Sequence, residues 1–117
     1  MQALRERLAA GGAIDSRQLA EMPNRRVVTV CGLVTIRQRP ATAGGTIFLL
    51  LEDEWGYMNI VVPQPLVAPN EDVVKRAPFV IVQGRVENDG AAISVVGQKF
   101  RELQVGERLT HHARSFR

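Results

Sequence analysis

The chain has 117 residues, 45% hydrophobic and 23% charged, with 15 Lys+Arg against 12 Asp+Glu and one cysteine. This is the size of one domain with one modest core. The composition excludes a mainly disordered chain, a collagen-like chain and a disulfide scaffold, and the length excludes an enzyme with separate cofactor and substrate domains. The net charge of +3 is unevenly spread: residues 27–51 hold Arg37 and Arg39 and no acid, whereas residues 52–77 hold Glu52, Asp53, Glu54, Glu71 and Asp72 against Lys75 and Arg76. Only Lys75 and Lys99 among the 15 basic residues are lysine. Arginine suits phosphate, because its planar fork engages two oxygens at once, though a GC-rich coding sequence accounts for most of that bias.

In chain order, Ala3, Leu4, Leu8 and Ala9 fall at helical spacing up to Gly11 and Gly12, and Asp15 or Ser16 is placed to cap a second short helix over residues 17–21, ended by Pro23. From Val27 the period becomes two, and the run to Arg37 predicts a long strand bent at Gly32. Residues 37–40 lead into a loop over residues 41–45, followed by a second strand over 46–51, a turn at 52–56 and a third strand over 57–62. Pro63, Pro65 and Pro69 break the pattern, and Asn70 is placed to cap a short helix over residues 71–77, whose acids come first and bases last, as the helix dipole favours. A fourth strand over residues 79–86, an Asn88-Asp89-Gly90 hairpin turn and a fifth strand over 91–96 follow; residues 98–103 either extend that strand or leave the barrel. Five strands with a helix between the third and fourth predict an all-β, five-stranded OB-fold Greek-key barrel. The domain division is a helical lead-in over 1–26, the barrel over 27–103 and a basic tail over 104–117.

No catalytic constellation emerges. Cys31 lies in an apolar run without a nearby His or acid and reads as a small buried hydrophobe. Consecutive acids Glu52, Asp53 and Glu54 point in different directions, so Asp53 and Gly56 read as a tight turn rather than a metal site. His111 and His112 lack further ligands at zinc spacing and are expected to be solvated. There is no phosphate loop, nucleophile elbow or dinucleotide-binding glycine motif. Neither metal nor cofactor is expected. The longest apolar runs are too short to span a bilayer, and Arg5, Glu6 and Arg7 interrupt the region a signal peptide keeps apolar. A cytoplasmic location, with no membrane contact, is expected.

The binding reading rests on alternation. Leu49 and Leu51 share one face of the second strand and Phe48 and Leu50 the other; Met58, Ile60 and Val62 read as core, leaving Tyr57, Asn59 and Val61 outside. Phe48, Tyr57 and Asn59 beside Arg37 and Arg39 would supply aromatic platforms, an amide for base edges and phosphate partners. The same positions admit blander roles: Phe48 as core, the arginines as solvated charges, Trp55 as cover for a barrel end.

The run from Val30-x-Gly32-Leu33-Val34 through Arg37-Gln38-Arg39-Pro40 and Thr42-Ala43-Gly44-Gly45 to Phe48-Leu49-x-Leu51-Glu52-Asp53-Glu54-x-Gly56-x-x-Asn59 resembles the OB domain near the C-terminus of bacterial family C DNA polymerase alpha subunits. The Arg-Gln-Arg-Pro element and the ending Ala113 to Arg117 resemble the error-prone branch. The Phe-x-x-Leu-x-Asp-x-x-Gly core also occurs in anticodon-binding domains of class II aminoacyl-tRNA synthetases, where the phenylalanine stacks on a base and a polar residue three after the glycine contacts base edges; here these are Phe48 and Asn59. The sequence departs from the polymerase pattern where a lysine is common at Gly44 or Gly45, and where Trp55 replaces a small polar residue. The resemblance implies a non-catalytic, single-stranded DNA-binding module, since a palm domain has no counterpart in this chain, with a sliding clamp and polymerase accessory proteins as neighbours. An apolar docking module using Phe48, Leu50 and Val61, and an RNA-binding domain, are the alternatives.

Overall fold

The computed structural model describes residues 12–103; the expected first helix over Ala3 to Ala9, with residues 1–11 of the lead-in, and the basic tail with His111 and His112 lie outside the described residues. A two-residue strand, β1 (Ala13–Ile14), comes first and pairs in parallel with Thr29 and Val30. It is too short to leave a periodic signal. Helix α1 (Ser16–Leu19) follows, one residue earlier and shorter than the spacing predicts. Asp15 caps it: its side chain accepts from the Gln18 N–H at 2.9 Å, and Gln18 Oε1 accepts from the Asp15 N–H at 2.9 Å.

Strand β2 (Val27–Gln38) is long because its sequence is dense in β-branched residues. Its first half pairs antiparallel with β5 (Phe79–Asn88), and its second half pairs antiparallel with β3 (Ile47–Glu52). Strand β4 (Tyr57–Val62) pairs with β3 and, in parallel, with β6 (Ile93–Glu102), which closes onto β5. The result is the expected closed five-stranded barrel, with β1 as a further strand outside it.

The bend in β2 has two components. At Gly32 the strands come so close that a Cβ would lie 2.7 Å from the Glu52 carbonyl oxygen. The bulge falls beyond the glycine, at Thr35, where pairing passes from Val34 opposite Leu51 to Ile36 opposite Leu50. Thr35 Oγ1 donates to the Leu50 carbonyl at 3.1 Å.

Between β4 and β5 the prolines start helices rather than only ending a strand. Pro65 lies in the first turn of α2 (Gln64–Val67), and Pro69 in a 3-10 turn over Ala68–Asn70, where a missing N–H is tolerated. Helix α3 (Glu71–Arg76) follows directly, so Asn70 does not cap it; its Nδ2 donates back to the Leu66 carbonyl at 2.8 Å. The Asn88–Gly90 turn is as expected, with Gly90 at φ 89 and the Asp89 carboxylate accepting from the Ala91 and Ala92 N–H groups. Residues 98–102 continue β6 rather than leaving the barrel.

One inward residue in two from each strand fills the interior. Val28, Val30, Leu49, Leu51, Met58, Ile60, Val62, Val82, Val86 and Val95 are buried, closed at the ends by Leu19, Val67 and Val74. Each fully buried aliphatic side chain contributes about 1.5–3 kcal/mol over its exposed state.

Two outcomes follow. Gly32→Ala pushes a methyl group into the Glu52 backbone and destabilises the barrel by about 1–3 kcal/mol, read by urea denaturation. Cys31 of β2 lies opposite Ile81 of β5, and burial, then the Asp53 charge, push its thiol up from 9.0 to about 11. The folded chain thus keeps a proton that the unfolded chain releases. Stability is full below pH 9 and falls as pH rises from 9.0 to about 11. Cys31→Ala flattens that decline in denaturation curves taken across the window.

Candidate nucleic-acid interface

Residues directly opposite on paired strands share a face. The register therefore lays out the outer surface in rows. Gln38, Phe48, Val61 and Val96 form one; Ile36, Leu50, Asn59 and Ser94 form the next; Leu33, Glu52 and Tyr57 form a third nearer the β3–β4 turn. Tyr57 is 60% exposed, Ile36 46% and Phe48 38%. Leu50, Val61, Ser94 and Val96 are half-buried, and Asn59 is exposed. Phe48, Tyr57 and Asn59 thus share one continuous outer face.

Arg37 and Arg39 do not join that face. Simple alternation from Val34 would turn Arg37 outward, but the extra residue at Thr35 moves every later side chain to the opposite side. Ile36 and Gln38 take the outer positions, and Arg37, still exposed, falls opposite buried Leu49, at the barrel end that α3 closes. There its Nε donates to the Val74 carbonyl at 2.8 Å and its Nη2 donates to the Ala77 carbonyl. These are carbonyls at the end of α3, which carry the negative end of the helix dipole and lack helical partners. Arg37 is therefore tied to the helix, and burial lowers its pKa from the usual arginine value. Arg39 has no ion pair among the described residues and remains exposed at the rim.

At the opposite end of the same strands, Asp53 organises the β3–β4 turn. Its carboxylate accepts from the Trp55 N–H at 2.9 Å and the Gly56 N–H at 3.0 Å, and from the Ser16 N–H and hydroxyl, both at 2.7 Å. Its oxygens are filled by N–H and O–H donors, in keeping with the turn reading. These bonds also fasten α1 to the barrel. Arg17 stacks over the Trp55 ring at 3.7 Å from its centre, so the tryptophan packs under the lead-in, 38% exposed.

Ile36, Gln38, Ser94 and Val96 belong to the face but escaped sequence reasoning. The first two depended on a bulge without a sequence mark. The others depended on the parallel pairing of β4 with β6, which joins segments far apart in the chain.

Among the described residues, no helix is long and apolar enough to cross a membrane. Residues 28–103 match the family of the OB-fold nucleic acid binding domain. The chain is 40% identical, over 86% of its length, to an error-prone DNA polymerase of Anaeromyxobacter dehalogenans. It is also 40% identical, over its whole length, to one of Corynebacterium efficiens. It spans 9% and 11% of those relatives, respectively. Among solved structures, asparaginyl-tRNA synthetase from Pyrococcus horikoshii superposes with a TM-score of 0.66 at 25% identity, covering 79% of this chain and 23% of that one. With the barrel closed as expected and the family match spanning nearly all of it, the chain belongs to the OB-fold nucleic acid binding domain family.

Proposed function

We propose that this domain binds single-stranded DNA with little sequence preference, as the template-holding module of an error-prone DNA polymerase. The single observation that carries the reading is the placement of Phe48, Tyr57 and Asn59 on one open face whose rim holds Arg39, without an ion pair among the described residues. Exposed rings accept bases of any sequence, because every base has a π-face. Phe48 and Tyr57 stack, Asn59 meets base edges, and Arg39 follows the phosphates. Arg37 contributes positive charge from behind while its donors hold α3. The error-prone polymerase relatives support DNA as the ligand. The sliding clamp and accessory proteins that the resemblance implies are partners of the larger assembly, and no residue of this face is assigned to them.

Ile36, Leu50, Val61 and Val96 also make the face apolar enough to favour a second reading, docking of a protein. Salt separates the two. Fluorescence anisotropy of a labelled pyrimidine oligodeoxynucleotide is expected to report binding that weakens as salt rises, by about 0.7 log units per log unit of salt for each phosphate engaged. Phe48→Ala is expected to remove about 1–3 kcal/mol of binding. A folded chain that fails to bind at low salt overturns the reading in favour of docking, and tighter binding to the matching ribonucleotide strand moves it to RNA.

A further inference from the structure

The described residues form two grooves flanking the stacking face, and their charge differs. One, of about 420 Å³, lies past Ser94 at the β5–β6 hairpin; there Arg25 and Arg85 are matched by Glu87 and Asp89, with Arg85 bonded to Glu87 at 3.3 Å. The other, of about 200 Å³, lies between the end of β2 and the end of α3 and is lined by Arg37, Gln38, Arg39, Ile47, Val74 and Lys75. Three cationic residues and no acid line it, mostly through apolar atoms, so their charged heads lie at its rim.

We propose that the second groove is a phosphate site, in which Arg39 and Lys75 hold one phosphodiester group of the bound strand and Arg37 is a positioning residue. This rests on the nucleic-acid reading above and assigns the place where the backbone leaves the stacked bases. The groove begins at Gln38, which is directly opposite Phe48, so a base on the Phe48 ring puts its backbone within reach of the rim. Arg37 joins the two walls. It extends from β2 and donates to the Val74 and Ala77 carbonyls, fixing the end of α3, whose Lys75 lines the same groove as Arg39. The same bonds neutralise the carbonyls whose partial negative charge would otherwise face an anion.

Lys75 is available for this role. Its present partner is Glu71, one helical turn away at 3.3 Å, and both side chains are substantially exposed. Such a pair is weak and exchanges readily for a phosphate. The other end of the face repels phosphate: Glu52, Asp53 and Glu54 follow one another at the β3–β4 turn. The charge therefore orients the ligand, with its backbone along the α3 rim and its bases over Leu50, Asn59 and Tyr57.

The test measures oligodeoxynucleotide affinity against salt for the whole chain and four variants. Lys75→Ala and Arg39→Ala are each expected to weaken binding severalfold, and the pair together to reduce the salt slope by about 0.7, the value for one phosphate. Glu71→Gln, which frees Lys75 and removes a negative charge, is expected to tighten binding severalfold. A merely structural lysine would not give that gain. In parallel, inorganic phosphate titrated into isotopically labelled protein is expected to shift the amide signals of Gln38, Arg39 and Lys75. Wild-type binding with an unchanged slope in the double variant, or with no gain from Glu71→Gln, overturns the groove and leaves the stacking face standing. Absent oligonucleotide binding overturns the function reading, while phosphate shifts at those three residues still support the anion site and their absence overturns it.

Discussion

The molecule turns on the approach of β2 to β3 at Gly32. A single strand pairs with β5 through residues 27–33 and with β3 through residues 33–38, and so closes the sheet on itself. A side chain at the crossing would collide with the Glu52 carbonyl, so the closure needs a residue without a Cβ. Once closed, the barrel has a sealed interior of alternating aliphatic residues and an outer surface on which the β3 and β4 side chains are held in register.

The bulge at Thr35 turns that frame into a particular surface. It places Ile36 and Gln38 beside Leu50 and Phe48, widening the apolar platform, and sends Arg37 to the end of α3. The helix that plugs the barrel is thereby tied to the rim of the face. A bulge that re-aims side chains next to a binding surface is a recurring device in sheets; here it divides two arginines, two residues apart, between a structural bond and an open rim.

The face is also bounded by charge. Asp53 gathers four donors at the β3–β4 turn and fastens the capped helix α1 to the barrel, while Arg17 covers Trp55. This end is acidic and structurally occupied. The other end carries Arg37, Arg39 and Lys75 around a groove without acids. The surface is thus graded in charge from one end to the other, and the relatives named as error-prone DNA polymerases carry such a domain within a far longer chain.

Alternation was enough to assign the five barrel strands, the core and the outward residues of β3 and β4, because it runs unbroken there: Leu49, Leu51, Met58, Ile60 and Val62 had one side available to them, which left Phe48, Tyr57 and Asn59 the other. The hairpin at Asn88–Gly90 was equally legible, since its turn chemistry is local. Tertiary structure alone decided the rest. The direction of Arg37 depends on an unmarked extra residue that pays off only when β3 pairs alongside. The two-residue strand β1 exists only because β2 offers it an edge. The prolines after β4 begin helices because the barrel end supplies a surface for Val67 and Val74 to bury against. The presence of Arg39 and Lys75 along one groove requires a closed barrel to bring two distant segments to one rim. Local alternation carries information about which side a residue faces; only closure decides which residues face one another.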